Sequence, residues 1–227
     1  MSEIAQNIQQ LTRALTETAA AAGRPAPRLL AVSKTRSAAE IRVAYQAGQT
    51  AFGENYVSEA VDKIEALSDL PLEWHFIGPL QSNKTRAVAG RFDWVQSLDR
   101  LRVAERLASQ RPPARGPLNV LVQVNIDREP QKAGVLPDAV PALLDQIRSL
   151  DGLAVRGLMC IPRADGDGTA FSRMATLFDT LRAQQDGGWD TLSMGMSADY
   201  VEAIHAGATM IRLGTAIFGP RRPAHDQ

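Results

Sequence analysis

The sequence predicts an α/β fold: a single (β/α)8 TIM barrel preceded by an extra N-terminal helix. Three observations carry that prediction. Eight short apolar runs have the length of strands, amphipathic segments separate them, and no linker or composition shift divides the 227 residues. Strands followed one by one by helices pair in parallel through right-handed crossovers. Eight such units in about 200 residues suit a small closed barrel better than an open doubly wound sheet. The whole chain, 1–227, is therefore read as one domain, with the helix at about 2–22 and the barrel at about 28–220.

Taken in order, residues 2–22 are polar on one face and helical in period. The first strand run is 28–35. Ser37 and Glu40 form a capping-box pattern, and the helix they open can end at Gly48. The second run is 49–53, after which Val57, Val61, Ile64 and Leu67 recur at helical spacing. The third run is 73–78, and Gly90 suits the end of its helix. A fourth run, 94–97, precedes Asp99 in an N-cap position and Leu101, Ala104 and Leu107 on one helical face. The proline-broken basic stretch Arg111–Arg115 reads as a solvated loop within a turn at 111–117. The fifth run is 119–126; Val140, Leu143, Leu144 and Ile147 then form an apolar stripe. The sixth run is 153–161, and 164–169 reads as a flexible loop. The seventh run, 191–196, leads to Ser197 as an N-cap, Gly207 as a helix end and the eighth run, 209–213. The echo of Ala47-Gly48 by Ala206-Gly207 supports equivalent helix-to-strand turns.

Composition narrows the function. Equal numbers of basic and acidic residues give no formal net charge and a pI near 6.8, so no long-range attraction to nucleic acid or anionic membrane is expected. One cysteine, Cys160, leaves no intrachain disulfide or thiolate zinc cluster, and the three histidines lack metal spacing. No signal-peptide core or membrane-length apolar run is present. A soluble, cytoplasmic protein is expected.

In such barrels, functional residues gather at the C-terminal ends of strands. Lys34 follows the first strand, Glu54 and Asn55 the second. His75 lies late in the third, Ser197 follows the seventh, and Arg212, Gly214 and Thr215 end the eighth. Lys34 shares a face with Leu30 and Val32. Taken alone, a lysine there opens the following loop and reaches out to water; if its face looks into the core it is costly to desolvate as an ammonium, which lowers its pKa and suits its amine to carbonyl chemistry. The backbone near Ser197 and the Gly214-Thr215 turn can each face an anion, and together they favour a phosphate. Arg212 needs an acceptor, either a carboxylate or a ring nitrogen. His75, flanked by apolar residues, reads first as a hydrogen-bonded core histidine. Asn55 either orders its loop or contacts a ligand. Cys160 reads as a core thiol, and Met194, Met196 and Met210 as filling the barrel or lining its mouth. The segment Asp165-Gly166-Asp167-Gly168 lacks the distal ligands of a calcium loop.

Five ordered motifs add a resemblance. They are Ala31-Val32-Ser33-Lys34-Thr35, Phe52-Gly53-Glu54-Asn55-Tyr56, the stretch from Trp74-His75-Phe76-Ile77-Gly78 to Lys84, Ser193-Met194-Gly195-Met196-Ser197, and Arg212-Leu213-Gly214-Thr215-Ala216-Ile217-Phe218-Gly219. Together they closely resemble the pyridoxal phosphate homeostasis family of YggS/PROSC-type proteins, across about 4–220. The resemblance implies a barrel similar to the N-terminal domain of alanine racemase, binding pyridoxal 5'-phosphate (PLP). It implies a Schiff base (a covalent aldimine) on Lys34, phosphate contacts from Ser197, Gly214 and Thr215, and Arg212 facing the pyridine nitrogen. Asn55 would lie close to the cofactor, with His75 and Ile77 on the wall beside it. Racemases of similar fold add a second β-domain and a tyrosine base. Here the chain ends soon after Leu213, and Tyr56 is a weak candidate base. The resemblance thus implies a non-catalytic role in buffering or delivering PLP, with effects on amino-acid and keto-acid metabolism. Apo PLP-dependent enzymes are the implied partners and a monomer the simpler state. A small PLP-dependent racemase-like enzyme is the alternative, and a Schiff-base aldolase a remoter one.

Overall fold

Strand β1 (Arg28–Val32) pairs in parallel with both β2 (Ala51–Glu54) and β8 (Met210–Leu213), so the sheet closes on itself. Between them, β3 (Glu73–Phe76), β4 (Trp94–Leu98), β5 (Leu118–Val124), β6 (Leu153–Cys160) and β7 (Thr191–Ser193) follow in sequence order around the ring. This computed structural model describes residues 2–220 apart from 164, 167, 185 and 186. The expected loop at 164–169 and the calcium-like segment therefore lie partly outside the described residues.

The helices are α1 (Glu3–Ala21), α2 (Ala38–Gln46), α3 (Val57–Ala66), α4 (Thr85–Arg91), α5 (Leu101–Gln110), α6 (Val140–Ile147), α7 (Ala170–Arg182), α8 (Tyr200–Ala206) and the short α9 (Thr215–Phe218). The capping box forms as expected, with Ser37 and Glu40 exchanging side-chain and backbone hydrogen bonds at the start of α2. Gly48 and Gly207 take left-handed φ values of 98° and 105° after α2 and α8, matching the echo between those turns.

Most of the core lies between sheet and helices, where Phe52, Phe76 and Phe92 are fully enclosed. The barrel interior holds two small apolar clusters. Leu30, Ala51 and Met210 meet Ile77, while Trp94, Leu121 and Met159 form the other. Helix α1 packs on α2, α8 and α9, and Asn7 Nδ2 donates to Ile217 O at 3.0 Å. At Gly157 the register of β5 and β6 shifts, and an added Cβ would sit 2.0 Å from Thr191 O.

Several expectations change. Strand β1 stops at Val32 because Ser33–Arg36 forms a turn closed by Arg36 N–H to Ser33 O at 3.0 Å. Asp99 is not the cap of α5; Arg100 holds that position and pairs with the Asp99 carboxylate instead. Ser197 is not a cap either. Helix α8 begins at Tyr200 with Asp199 before it, and Asp199 Oδ1 accepts from Met196 N–H at 2.6 Å. Gly90 lies inside the last turn of α4. Arg111 is buried rather than solvated, donating to Ala89 O at 2.8 Å and Phe92 O at 2.7 Å. It satisfies carbonyls that the end of α4 leaves without helical partners.

Candidate functional site

Lys34 stands in the turn that ends β1, half-buried, at the C-terminal rim of the barrel. Val32, Lys34, Arg36, Gly214 and Thr215 line one cleft there. Gly214 lets the backbone pass close to β1: a Cβ there would come within 3.1 Å of Val32 O, a tight contact. Arg36 was not singled out in the sequence. Its guanidinium lies over the Phe218 ring and donates to Gly219 O, tying the turn after β1 to the end of α9.

Beneath Lys34 lies a buried ionic cluster. Lys63 Nζ donates to Ser33 O at 2.8 Å, Glu54 Oε1 at 2.8 Å and Glu59 Oε1 at 2.6 Å. Ser33 Oγ donates to the same Glu54 oxygen at 2.6 Å, and Glu59 accepts from Thr35 N–H. Both peptides flanking Lys34 are thereby held. Burial raises the Glu54 carboxyl pKa, a shift that Lys63 and Ser33 only partly oppose. Its Oε2 has no hydrogen-bond partner among the described residues. The available sequence signal was the i,i+4 spacing of Glu59 and Lys63, which by itself reads as a surface pair.

Arg212 is 4% exposed. Its NH1 donates to Ser193 Oγ and its NH2 to Cys160 O, each at 2.8 Å. Among the described residues no carboxylate lies within salt-bridge distance of it. Burial lowers its pKa, yet a guanidinium stays charged. Such a cation calls for a further acceptor. The Arg212 N–H donates to Gly195 O at 3.1 Å, which sets the loops after β7 and β8 side by side. Ser197, in the first of these loops, and Thr215, at the start of α9, are exposed.

Asn55 is half-buried, and its enclosed Oδ1 has no hydrogen-bond partner among the described residues. Gly78 passes so close that a Cβ would lie 2.2 Å from Asn55 O. His75 is fully buried and stacks on Trp94 with centroids 5.2 Å apart. Its Nε2 meets Glu73 and its Nδ1 meets Gln96, the latter at 2.9 Å, so it is a hydrogen-bonded core histidine. Ile77 packs inside the barrel with Leu30 and Met210. Tyr56 is on the rim and 58% exposed. Cys160 is buried, and burial pushes its thiol up to about 12. A larger cleft, about 390 Å³, opens near Arg24, Phe178 and Arg182 at the opposite end of the strands. It gathers none of the strand-end residues, so chemistry rather than size locates the site.

The rim thus joins a lysine amine, two adjacent polar loops and a buried guanidinium in a closed barrel, the class of protein that includes the alanine racemase barrel. The family described as alanine racemase, N-terminal domain, matches residues 2–222. Among curated relatives, the pyridoxal phosphate homeostasis protein of Pasteurella multocida is 52% identical over 227 residues, spanning 96% of this chain and 97% of that one. The protein of that name from Pseudomonas aeruginosa is 51% identical, spanning 97% of each. By these matches the chain belongs to the pyridoxal phosphate homeostasis proteins, within the alanine racemase N-terminal domain family. Among solved structures, PipY of Synechococcus elongatus with PLP bound is 38% identical, with a TM-score of 0.84 over 95% of this chain and 100% of that one. Alanine racemase of Corynebacterium glutamicum shares the fold at 17% identity, with a TM-score of 0.72 over 99% of this chain and 63% of its own.

Proposed function

We propose that this chain binds PLP reversibly and serves its homeostasis, by buffering or delivery, rather than amino-acid turnover. The observation that carries the reading is that Lys34, Gly214 and Thr215 line one cleft at the barrel rim. The residues suit the group. An amine can take up an aldehyde, loop hydroxyls and N–H groups can take a phosphate, and a buried guanidinium without a carboxylate can take a ring nitrogen. A relative solved with PLP bound supports the choice of cofactor.

In this reading Lys34 holds the cofactor through a Schiff base. Ser197, Gly214 and Thr215 hold the phosphate, and Arg212 faces the ring nitrogen. Asn55 lies close by, and Ile77 and His75 form the wall, His75 through its partners. PLP supplies an electrophilic aldehyde and an electron-withdrawing ring when bound. Arg212 can only donate, so it keeps a ring nitrogen unprotonated and the ring a poor electron sink. Tyr56 is exposed on the rim, where among the described residues no side-chain hydrogen bond fixes its hydroxyl as a base. Among the described residues no helix is long and apolar enough to cross a membrane. A single-domain, cytoplasmic monomer that hands PLP to apo-enzymes completes the proposal.

The purified protein should carry an absorbance band that borohydride fixes and Lys34→Ala removes. It should transfer PLP stoichiometrically to an apo-enzyme. A band that persists in Lys34→Ala would overturn the assignment of the anchor. Rapid deuterium wash-in at the α-carbon of an amino acid would overturn the non-catalytic role.

A further inference from the structure

A continuous line of side chains crosses the barrel lumen from Arg212 to the far rim. Arg212 NH1 meets Ser193 Oγ at 2.8 Å, and Ser193 Oγ meets Gln96 Oε1 at 2.7 Å. Gln96 Nε2 meets His75 Nδ1 at 2.9 Å, and His75 Nε2 meets Glu73 Oε1. Arg28 pairs with that same Glu73 oxygen at 2.8 Å. Strands β4 and β7 are not neighbours but lie three places apart in the ring of eight, so the Ser193–Gln96 bond is a strut across the lumen. Ser193, Gln96 and His75 are all 0% exposed. The side chains of Glu73 and Arg28 are 30% and 42% exposed.

Donor chemistry fixes the direction of every link. A guanidinium only donates, so the Ser193 oxygen accepts and its one proton goes to the Gln96 carbonyl. The Gln96 amide nitrogen only donates, and Met210 Sδ also faces it at 3.2 Å. His75 Nδ1 must then be the bare acceptor, with the ring proton on Nε2, directed at Glu73. The line runs one way, from a buried cation without a carboxylate to a carboxylate on the opposite face. Aligned hydrogen bonds of this kind polarise and rigidify one another.

Building on the reading that Arg212 faces the cofactor ring, we infer that Ser193, Gln96 and His75 are positioning residues for its guanidinium, with Glu73 as their terminal acceptor. Ser193 and Cys160 O fix the guanidinium plane, Gln96 fixes the Ser193 hydroxyl, and His75 and Glu73 fix Gln96. Removing a link frees Arg212 to turn away from the cofactor without touching the cofactor itself.

The test uses the full chain loaded with PLP and reads the dissociation constant, the absorbance band and Tm. Gln96→Met keeps the volume but deletes its links to Ser193 and His75; Ser193→Ala deletes the links to Arg212 and Gln96 with minimal change in volume. Each should raise the PLP dissociation constant about tenfold, the scale of one hydrogen bond to a charged group, and shift the band. Ser193→Thr should restore both readouts. Leu121→Val, in the same lumen but off the line, should lower Tm and move neither. Wild-type affinity and band in both Gln96→Met and Ser193→Ala would overturn the inference. So would an equal change in Leu121→Val. Arg212→Ala separates the two readings. If it too binds normally, the cofactor-facing role of Arg212 fails and the strut's role with it. If it binds weakly while the line variants bind normally, the strut alone fails.

Discussion

Replacing Lys63 by methionine tests the ionic cluster that supports Lys34. The Lys63 side chain is 7% exposed and its ammonium makes three hydrogen bonds, while the Glu54 side chain is 0% exposed. Lys63→Met leaves Glu54 with the Ser33 hydroxyl alone and strips the Ser33 carbonyl of its donor. Orphaning a buried ion in this way costs about 3–5 kcal/mol. For a chain of this size each kcal/mol moves Tm by about 2–4 °C, so a fall of roughly 6–20 °C is expected at pH 7.5. The loss should depend on pH. Burial already raises the Glu54 pKa, and without Lys63 it rises further. An acid whose folded pKa lies above its unfolded value stabilises the fold less as pH rises through that window. The gap between variant and wild type should therefore narrow as pH falls from 7.5 toward 5. The double variant Lys63→Met/Glu54→Leu removes both charges and should recover much of the loss, giving a strongly non-additive cycle. Scanning calorimetry with urea denaturation reads all four proteins. A single-variant loss below about 1 kcal/mol, or additivity in the cycle, would refute the claim that this pair is buried and coupled.

Three further outcomes follow from other contacts. Gly157→Ala places a Cβ where Thr191 O now lies, 2.0 Å away. Opening the β6–β7 pairing should cost more than about 4 kcal/mol, measurable as a collapse of the urea midpoint or of soluble yield. Cys160, buried with its thiol pushed up to about 12, should react with a thiol reagent only as fast as the protein opens; rapid labelling under native conditions would contradict the packing. Burial, partly offset by Glu73, holds the pKa of His75 below its ordinary 6.5. The unfolded chain therefore takes up a proton that the folded chain refuses as pH falls below about 6.5. Stability should decline there by at most about 1.4 kcal/mol per pH unit from this group. His75→Gln should show a flatter Tm profile between pH 7 and 5, and an unchanged slope would refute the neutral, buried assignment.

The eight strands were legible because each is a short apolar run set between local stop signals, such as Gly48 after α2 and Gly207 after α8. Strand-end residues were legible for a related reason. In a barrel with strands in sequence order, position along the chain gives position around the mouth. What escaped the sequence are contacts made between distant elements. Ser193 and Gln96 are 97 positions apart, and no local spacing announces a bond across a lumen. Lys63 occupies an ordinary helical position, and its burial comes from Ser33 in the turn after β1 and Glu54 at the end of β2. Arg111 sits in a proline-broken basic stretch that reads as solvated, yet the open end of α4 draws it inward. Asp99 and Ser197 have the side chains of caps, but their helices begin two and three residues later.

The seam between β1 and β8 has a kinetic consequence. It joins the first strand to the last, so the ring cannot close until nearly the whole chain has been synthesised, and contacts so remote in sequence form slowly. Helix α1 then lies over the junction, touching α2, α8 and α9. Lys34 and the Gly214–Thr215 loop sit on either side of the same seam. A ligand held by both binds the closed ring and not the open one, and by mass action it lowers the population that springs apart there. Amide exchange in Arg28–Val32 and Met210–Leu213 should then slow on loading more than exchange in β5. Occupancy of the cleft would set the lifetime of the protein as well as the fate of its cargo.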